Sequence, residues 1–393
     1  MKETVIVAGA RTPVGAFGKS LRDVPAAELG VQVLEGLMAK TSLTKAEVNE
    51  VVFGHGYVHG GGLNSARIAS QRAGFPRDVP AHIVIKACGS GLKAITTAAL
   101  TVAAGQEDVV IAGGVESMSG VPYIVKNRWG GKFGNVVMED ALLADGLTCS
   151  IEQEHMGMTA ERLAEQYGIS REEQDEFAYG SHVKALRAIE QGRFVDELVP
   201  VKVTKRKETR WFTADESVRA DIHLDSLAGL RPVFKKDGTI TAGNACPMND
   251  GAAAVLLMSR EKAEETGLAP LLKVKAFASA GVEPNVMGIG PVPATRKALA
   301  KAGLALSDIG RIELNEAFAA QALAVIKELE LNPEIVNVNG GAIALGHPVG
   351  ATGAKLTVTL MNEMLREGVK YGMVTLCMAG GMGLSVIYEN MTI

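Results

Sequence analysis

Short apolar runs alternate with stretches in which apolar residues recur every three or four positions over the first 118 residues. Residues 5–8 read as a strand, 26–40 as a helix, 50–53 as a strand and 63–73 as a helix, and 82–87, 92–104 and 108–112 continue as strand, helix and strand. Apolar strands separated by amphipathic helices predict a parallel sheet covered by helices. From Ser119 to about Asn244 charges, Met and Gly become frequent, and helical stretches at 159–167 and 171–191 stand without alternating strands. This predicts a large insertion lying over the first unit. From about Leu271 the alternation returns and partly repeats the first part. Residues 89–114 run glycine turn, helix, apolar strand, Gly-Gly, and residues 350–381 do the same, with the apolar strand at 373–376. His347 then falls close to the position of Cys88, each just ahead of its helix. Two related halves packed face to face would bring both helix N-termini toward one centre. The expected division is 1–118 as an N-terminal half completed by about 245–270, 119–244 as the insertion, and 271–393 as a C-terminal half.

Composition narrows the class. The chain has 393 residues, 47% hydrophobic, 21% charged and 5% aromatic, with 45 glycines, which suits an α/β protein with many tight turns and two or three domains. No apolar run reaches the roughly 18 residues needed to cross a bilayer. The N-terminus enters a strand at once, so no signal or transit peptide is expected, and a cytoplasmic location follows. Four cysteines, none in a C-x-x-C pair, make neither a disulfide scaffold nor a zinc site. The net charge of −4 speaks against a general nucleic-acid binder. Lys205-Arg206-Lys207 reads as a solvated loop.

Three residues with chemistry to offer stand at glycine-rich breaks: Cys88 before Gly89-Ser90-Gly91, His347 between Gly346 and Pro348, and Cys377 before Met378-Ala379-Gly380-Gly381. A strand ending at Cys88 with a helix starting behind it would aim amide donors and the positive end of a helix dipole at the sulfur. Both stabilise a thiolate, the form that attacks carbonyls, and a turn histidine is a suitable base for it. Taken alone, Cys88 reads more often as an inert buried thiol than as a nucleophile, its glycine-flanked place at a helix start makes the two readings even, and Cys377 reads also as an ordinary strand cysteine. Asn315-Glu316-Ala317-Phe318 follows a strand-like run and could supply an amide donor. Three look-alikes are set aside. Gly89 to Ala94 fits a dinucleotide fingerprint but lacks an acidic residue at the next strand tip. Gly15 to Ser20 ends like a phosphate loop but has Pro13 where a glycine belongs. Gly54-His55-Gly56 is assigned to a turn, and His55 and His59 are read as two loop histidines without a third metal ligand.

Several segments in order carry a resemblance: Ala10-Arg11-Thr12-Pro13-Val14-Gly15, Cys88-Gly89-Ser90-Gly91, Gly113-Gly114-Val115-Glu116-Ser117-Met118-Ser119, His155-Met156-Gly157, Asn249-Asp250-Gly251, Asn315-Glu316-Ala317-Phe318, the run from Asn339 to Pro348, and Cys377. With these the chain resembles the thiolases along nearly its whole length. The resemblance implies an α/β thiolase-like fold, two five-stranded βαβαβαββ halves with an inserted loop domain. It implies Cys88 as the acylated nucleophile, His347 as its base, Cys377 as the proton carrier of the condensation, and Asn315 as holder of a water in one oxyanion hole. The second hole would use the amides of Cys88 and Ala379. The substrate-binding set implied is Arg219, Ser226, Cys246, His155, Met156, Phe234, Phe318 and Ala379. Acyl-CoA and CoA are then substrate and product, with no separate cofactor, no metal, no nucleic acid and no membrane. Residues 121–138, with Lys126, Arg128 and Lys132, occupy the place of the family's tetramer-forming loop, so a homotetramer is expected, with a dimer as alternative. Short-chain substrates are expected from His155-Met156-Gly157. Longer 3-ketoacyl-CoAs, a decarboxylating ketoacyl synthase (which would lack Cys377) and a non-catalytic binding protein stand as alternatives. The chain departs from the family pattern at Ile85, at Cys246-Pro247 and at Ala379.

Overall fold

Strands buried along their whole length need mostly apolar or small side chains, and the segments 4–11, 109–117 and 249–259 meet that requirement except near one end, where Arg11, Glu116, Asn249 and Asp250 stand. In the computed structural model, which describes residues 1–205 and 208–393, they lie inside one ten-stranded sheet. Its strands are β1 Thr4–Arg11, β2 Glu50–His55, β3 Ala81–Val84, β4 Val109–Ser117, β5 Asn249–Ser259, β6 Leu272–Gly281, β7 Arg311–Leu314, β8 Tyr371–Met378 and β9 Met382–Asn390. Their order is β7-β8-β9-β6-β1-β5-β4-β2-β3, and the two-residue strand Gly15–Ala16 pairs with the start of β5.

The sheet is mixed, which corrects the parallel sheet expected from the alternation. Only β3-β2-β4 and β7-β8 pair in parallel. The strands β4-β5-β1, β1-β6 and β6-β9-β8 are antiparallel. Connection length explains part of this. A parallel return needs a crossover of a dozen or more residues, whereas β8 turns directly into β9 through Ala379-Gly380-Gly381, with both glycines at positive φ (82° and 78°).

The repeat is real at the level of topology. The path β1-β5-β4-β2 and the path β6-β9-β8-β7 have the same order and the same strand senses. The first half has β3 as a fifth strand, while the second has only a single bridge, Ile312 to Val336, so its implied five strands reduce to four. The halves also join edge to edge through two residue pairs, Val5–Lys273 and Ile6–Leu272. What they share face to face is a helix layer. The main helices are α1 Ala26–Met38, α2 Ser65–Arg72, α3 Ser90–Ala103, α4 Met156–Tyr167, α5 Arg171–Glu190, α6 Pro291–Ala302, α7 Ala319–Leu329 and α8 Thr352–Glu367. Leu92, Ile95 and Ala98 of α3 pack with Ala354, Val358 and Met361 of α8 in a single apolar cluster that takes Val110 and Val255 from the first half and Val374 and Val386 from the second. Their first turns touch so closely that a Cβ on Gly91 would stand 2.8 Å from the Gly350 carbonyl.

The segment between β4 and β5 carries α4 and α5 but also strands, contrary to expectation. Val201–Lys205 and Glu208–Phe212 pair antiparallel, and two-residue pairs form at Tyr123–Ile124 with Glu139–Asp140 and at Thr148–Cys149 with Glu154–His155. Lys205 ends a strand, and Arg206 and Lys207 lie outside the described residues. The insertion does not lie over the first half alone. Met156, Ala160 and Leu163 of α4 pack against Phe318, Ala320 and Ala324 from the second half, while the buried Arg11 of β1 pairs with Glu197 at 2.5 Å and with Asp215 at 2.8 Å. No helix among the described residues is long and apolar enough to cross a membrane.

Candidate active site

Cys88 sits just outside the first turn of α3. The strand before it stops at Val84, not at the cysteine, and Ala87 takes a φ of 46°. A non-glycine residue there is strained. The turn is closed by Ser90, whose hydroxyl accepts from the Lys86 amide at 2.8 Å and donates to the Ala87 carbonyl at 2.7 Å. It presents the half-buried sulfur to two amides, its own and that of Ala379, which follows β8. Those amides favour a thiolate, but burial opposes them and wins, pushing the Cys88 thiol up to about 11. The expectation of a standing thiolate at the helix start is therefore corrected. Desolvation exceeds what two amides and a helix end return.

His347 is buried and held at both ends. Its backbone N–H donates to Asn249 Oδ1 at 2.8 Å, and Asn249 Nδ2 is anchored on Gly15 O at 3.0 Å and Ser217 Oγ at 2.9 Å. Its ring Nδ1 meets Thr352 Oγ1 at 2.7 Å. Burial first, and then the Lys355 cation, lower its pKa to about 3, so the imidazole is neutral. Cys377 is fully buried in β8, opposite Gly383 of β9. Burial and the neighbouring Cys88 and Cys246 push its thiol well above the usual range. Asn315 is fully buried too, and neither polar atom of its side chain has a partner among the described residues.

One cavity of about 470 Å³ joins much of this set. Cys88, His347, Cys246, Ala379, His155, Met156, Phe234 and Phe318 all line it. The His155 ring stacks on Phe234 at 4.4 Å, and Phe234 meets Phe318 edge-on at 6.2 Å. Gly157 makes room for this, since a Cβ there would run into the Phe234 ring. Ile85 and Pro247, two of the departures, also stand on the wall. Cys377 and Asn315 do not line the cavity, though Cys377 packs in one apolar cluster with Met156 and Phe318 of its wall. Arg219 and Ser226 are exposed and away from it.

Two features escaped the sequence reading. Glu116, at the end of β4, accepts from the amides of Gly56 at 3.0 Å, Tyr57 at 3.2 Å and Gly350 at 2.8 Å. It thus ties the first half to the turn between His347 and α8, and burial lifts its carboxyl to about 7. A lone carboxylate at the end of the uncharged run Val-Val-Ile-Ala-Gly-Gly-Val was a usable signal. His55 stands 3.4 Å from it and is the buried last residue of β2, not a turn or loop residue. His59 instead faces Asp145 at 3.0 Å. The second feature is that all four cysteines gather here. Cys149 lines the cavity beside Cys88 and Cys246, and it shares an apolar cluster with Cys377.

A cavity with a nucleophile, two amides and a neutral base invites comparison with known proteins. The thiolase N-terminal domain matches residues 4–261 and the thiolase C-terminal domain residues 268–390. An acetyl-CoA acetyltransferase of Chromobacterium violaceum is 52% identical over 390 residues, covering 99% of this chain and 100% of the relative. Among solved structures, the Bacillus anthracis acetyl-CoA acetyltransferase superposes with a TM-score of 0.98 at 46% identity, covering 100% of this chain and 99% of the other. Human mitochondrial 3-ketoacyl-CoA thiolase gives 0.96 at 39% identity with the same coverage. The chain belongs to the thiolase family.

Proposed function

We propose that the protein is a CoA-dependent C-acyltransferase that condenses two acetyl-CoA into acetoacetyl-CoA and CoA, and cleaves 3-ketoacyl-CoA in reverse. One observation carries this reading: the Cys88 sulfur faces the amides of Cys88 and Ala379 on the same cavity wall as a neutral His347. His347 takes the thiol proton as the sulfur attacks the thioester carbonyl. The two amides stabilise the oxyanion, and each such donor is worth about 3 kcal/mol in related chemistry. CoA leaves with the proton. In the second half the Cys377 thiol gives its proton to the neutral His347, and its sulfur takes a proton from the methyl of another acetyl-CoA as the carbanion attacks acetyl-Cys88. The Cys88 sulfur leaves and takes the proton held by His347, which restores both thiols and the neutral imidazole. The unpartnered amide of Asn315 supports its role as holder of a water for the second oxyanion.

No cofactor beyond CoA enters this scheme, because nucleophile, base and proton carrier are side chains of the chain. We place the acyl group at the short end, since the Chromobacterium relative and the Bacillus structure are acetyl-CoA acetyltransferases at higher identity than the 3-ketoacyl-CoA thiolase. We assign Arg219 and Ser226 to the outer part of CoA, because both are exposed and off the cavity wall. A reducing compartment such as the cytoplasm suits four free thiols around one site. The proposed assembly is a homotetramer formed through residues 121–138.

Mass spectrometry after incubation with acetyl-CoA alone tests the reading. Acetyl is expected on the peptide containing Cys88, lost in Cys88→Ala and retained in Cys377→Ala, with both variants nearly inactive in turnover. Acetyl on Cys377, or normal turnover of Cys377→Ala, would overturn the assignment.

A further inference from the structure

Thr352 is the first residue of α8, fully buried, and it makes two contacts through one hydroxyl. Oγ1 lies 2.8 Å from the carbonyl oxygen of Pro348 and 2.7 Å from Nδ1 of His347. A carbonyl only accepts, and a hydroxyl has a single hydrogen to give. If that hydrogen pointed at Nδ1, the two oxygens would face each other across 2.8 Å with nothing between them. The hydrogen therefore goes to Pro348, one turn back along the chain, and the contact with His347 needs a hydrogen on Nδ1. The ring is buried, and the Lys355 cation disfavours a second proton on it.

We infer that Thr352 is a positioning residue that fixes His347 as the Nδ1–H tautomer and so leaves the lone pair on Nε2. This rests on the reading of His347 as the base for Cys88, since only an unprotonated nitrogen can take the thiol proton. The geometry makes the tautomer a property of the turn. Pro348 supplies the acceptor, α8 supplies the hydroxyl, and Asn249 fixes the backbone of the ring that joins them. In the other tautomer Nε2 would carry the hydrogen and could not receive another.

The test reads the tautomer directly. In protein labelled with ¹⁵N-histidine, with the His347 signals assigned by their loss in His347→Asn, the wild type is expected to show hydrogen on Nδ1 only. In Thr352→Val, which keeps the volume and removes the hydroxyl, hydrogen is expected on Nε2 in all or part of the population. Thr352→Ala is the second variant should valine not be accommodated, and Thr352→Ser should restore the wild-type pattern. Single-turnover acetylation of Cys88 should slow about 10²-fold in Thr352→Val, the low end of what a general base contributes, and recover in Thr352→Ser. Hydrogen on Nε2 in the wild type, or an unchanged Nδ1–H pattern in both Thr352→Val and Thr352→Ala, overturns the inference. Failure of acetyl-CoA to label Cys88 in the wild type overturns the enzymatic reading instead, whatever the spectra show.

Discussion

Burial moves Cys88 and His347 in opposite directions, and together the shifts choose the protonation state of the pair. A thiol pushed up to about 11 beside an imidazole pulled down to about 3 is a neutral pair, not a thiolate with an imidazolium. At pH 7 only about one Cys88 in 10⁴ carries charge without substrate. The sulfur is thus charged only as it attacks, when the amides of Cys88 and Ala379 can turn to the substrate oxyanion. Alkylation of the free enzyme by iodoacetamide, followed at the Cys88 peptide, should rise about tenfold per pH unit between 7 and 9. A rate already flat across that range would mean a standing ion pair and refute the neutral one. From the sequence, the meeting of Cys88 and His347 at one cavity was legible because each stands at a glycine break. The direction of the Cys88 shift was not, because desolvation depends on what the insertion and the second half lay over the sulfur.

Elements were legible where periodicity alone decides them. Strand β8 and the helices α3 and α5 fall within two residues of the bounds expected from pattern. Strand sense was not legible, because it depends on which connection joins which strand. The pairing of 201–205 with 208–212 was hidden by charge. The contact between β4 and the turn before α8 is the element-scale feature with the sharpest consequence. A Cβ on Gly114 would overlap the Gly350 carbonyl oxygen and stand 2.9 Å from the Ala351 Cα, both backbone atoms with no rotamer to escape to. Gly114→Ala should therefore lower stability by about 3 kcal/mol and reduce activity, because the strained turn carries both His347 and Thr352. Gly131→Ala, with open space around it, serves as the control. Equal urea midpoints for the two variants would contradict this account.

At the scale of the molecule, residues 121–138 leave an apolar surface with nothing from the same chain against it. Trp129 is 94% exposed, Phe133 103% and Met138 64%. The proposed homotetramer would cover this patch with another subunit, and the Lys126–Glu139 ion pair at 2.7 Å helps fix its base. Light scattering should give about four times 41.2 kDa, and Trp129→Ser with Phe133→Ser should reduce that mass. A wild-type mass near one chain across dilution would exclude the assembly. The two related halves were legible as a weak repeat, whereas their joining into one sheet was not, since the pairing of β1 with β6 rests on two residue pairs. The place of β5 carries a further consequence, for biosynthesis. β5 lies between β1 and β4, pairing Thr4 with Ser259 and Ser117 with Asp250. While the ribosome is still making the insertion, both earlier strands have an open edge where β5 will go. At about 5–20 residues per second the wait is on the order of ten seconds. During it Val109–Ser117, an uncharged β-prone run up to Glu116, stands ready to pair with any other strand. The nascent chain is thus most prone to aggregate between the synthesis of its fourth strand and its fifth, and a chaperone that shields that one edge would protect the whole enzyme.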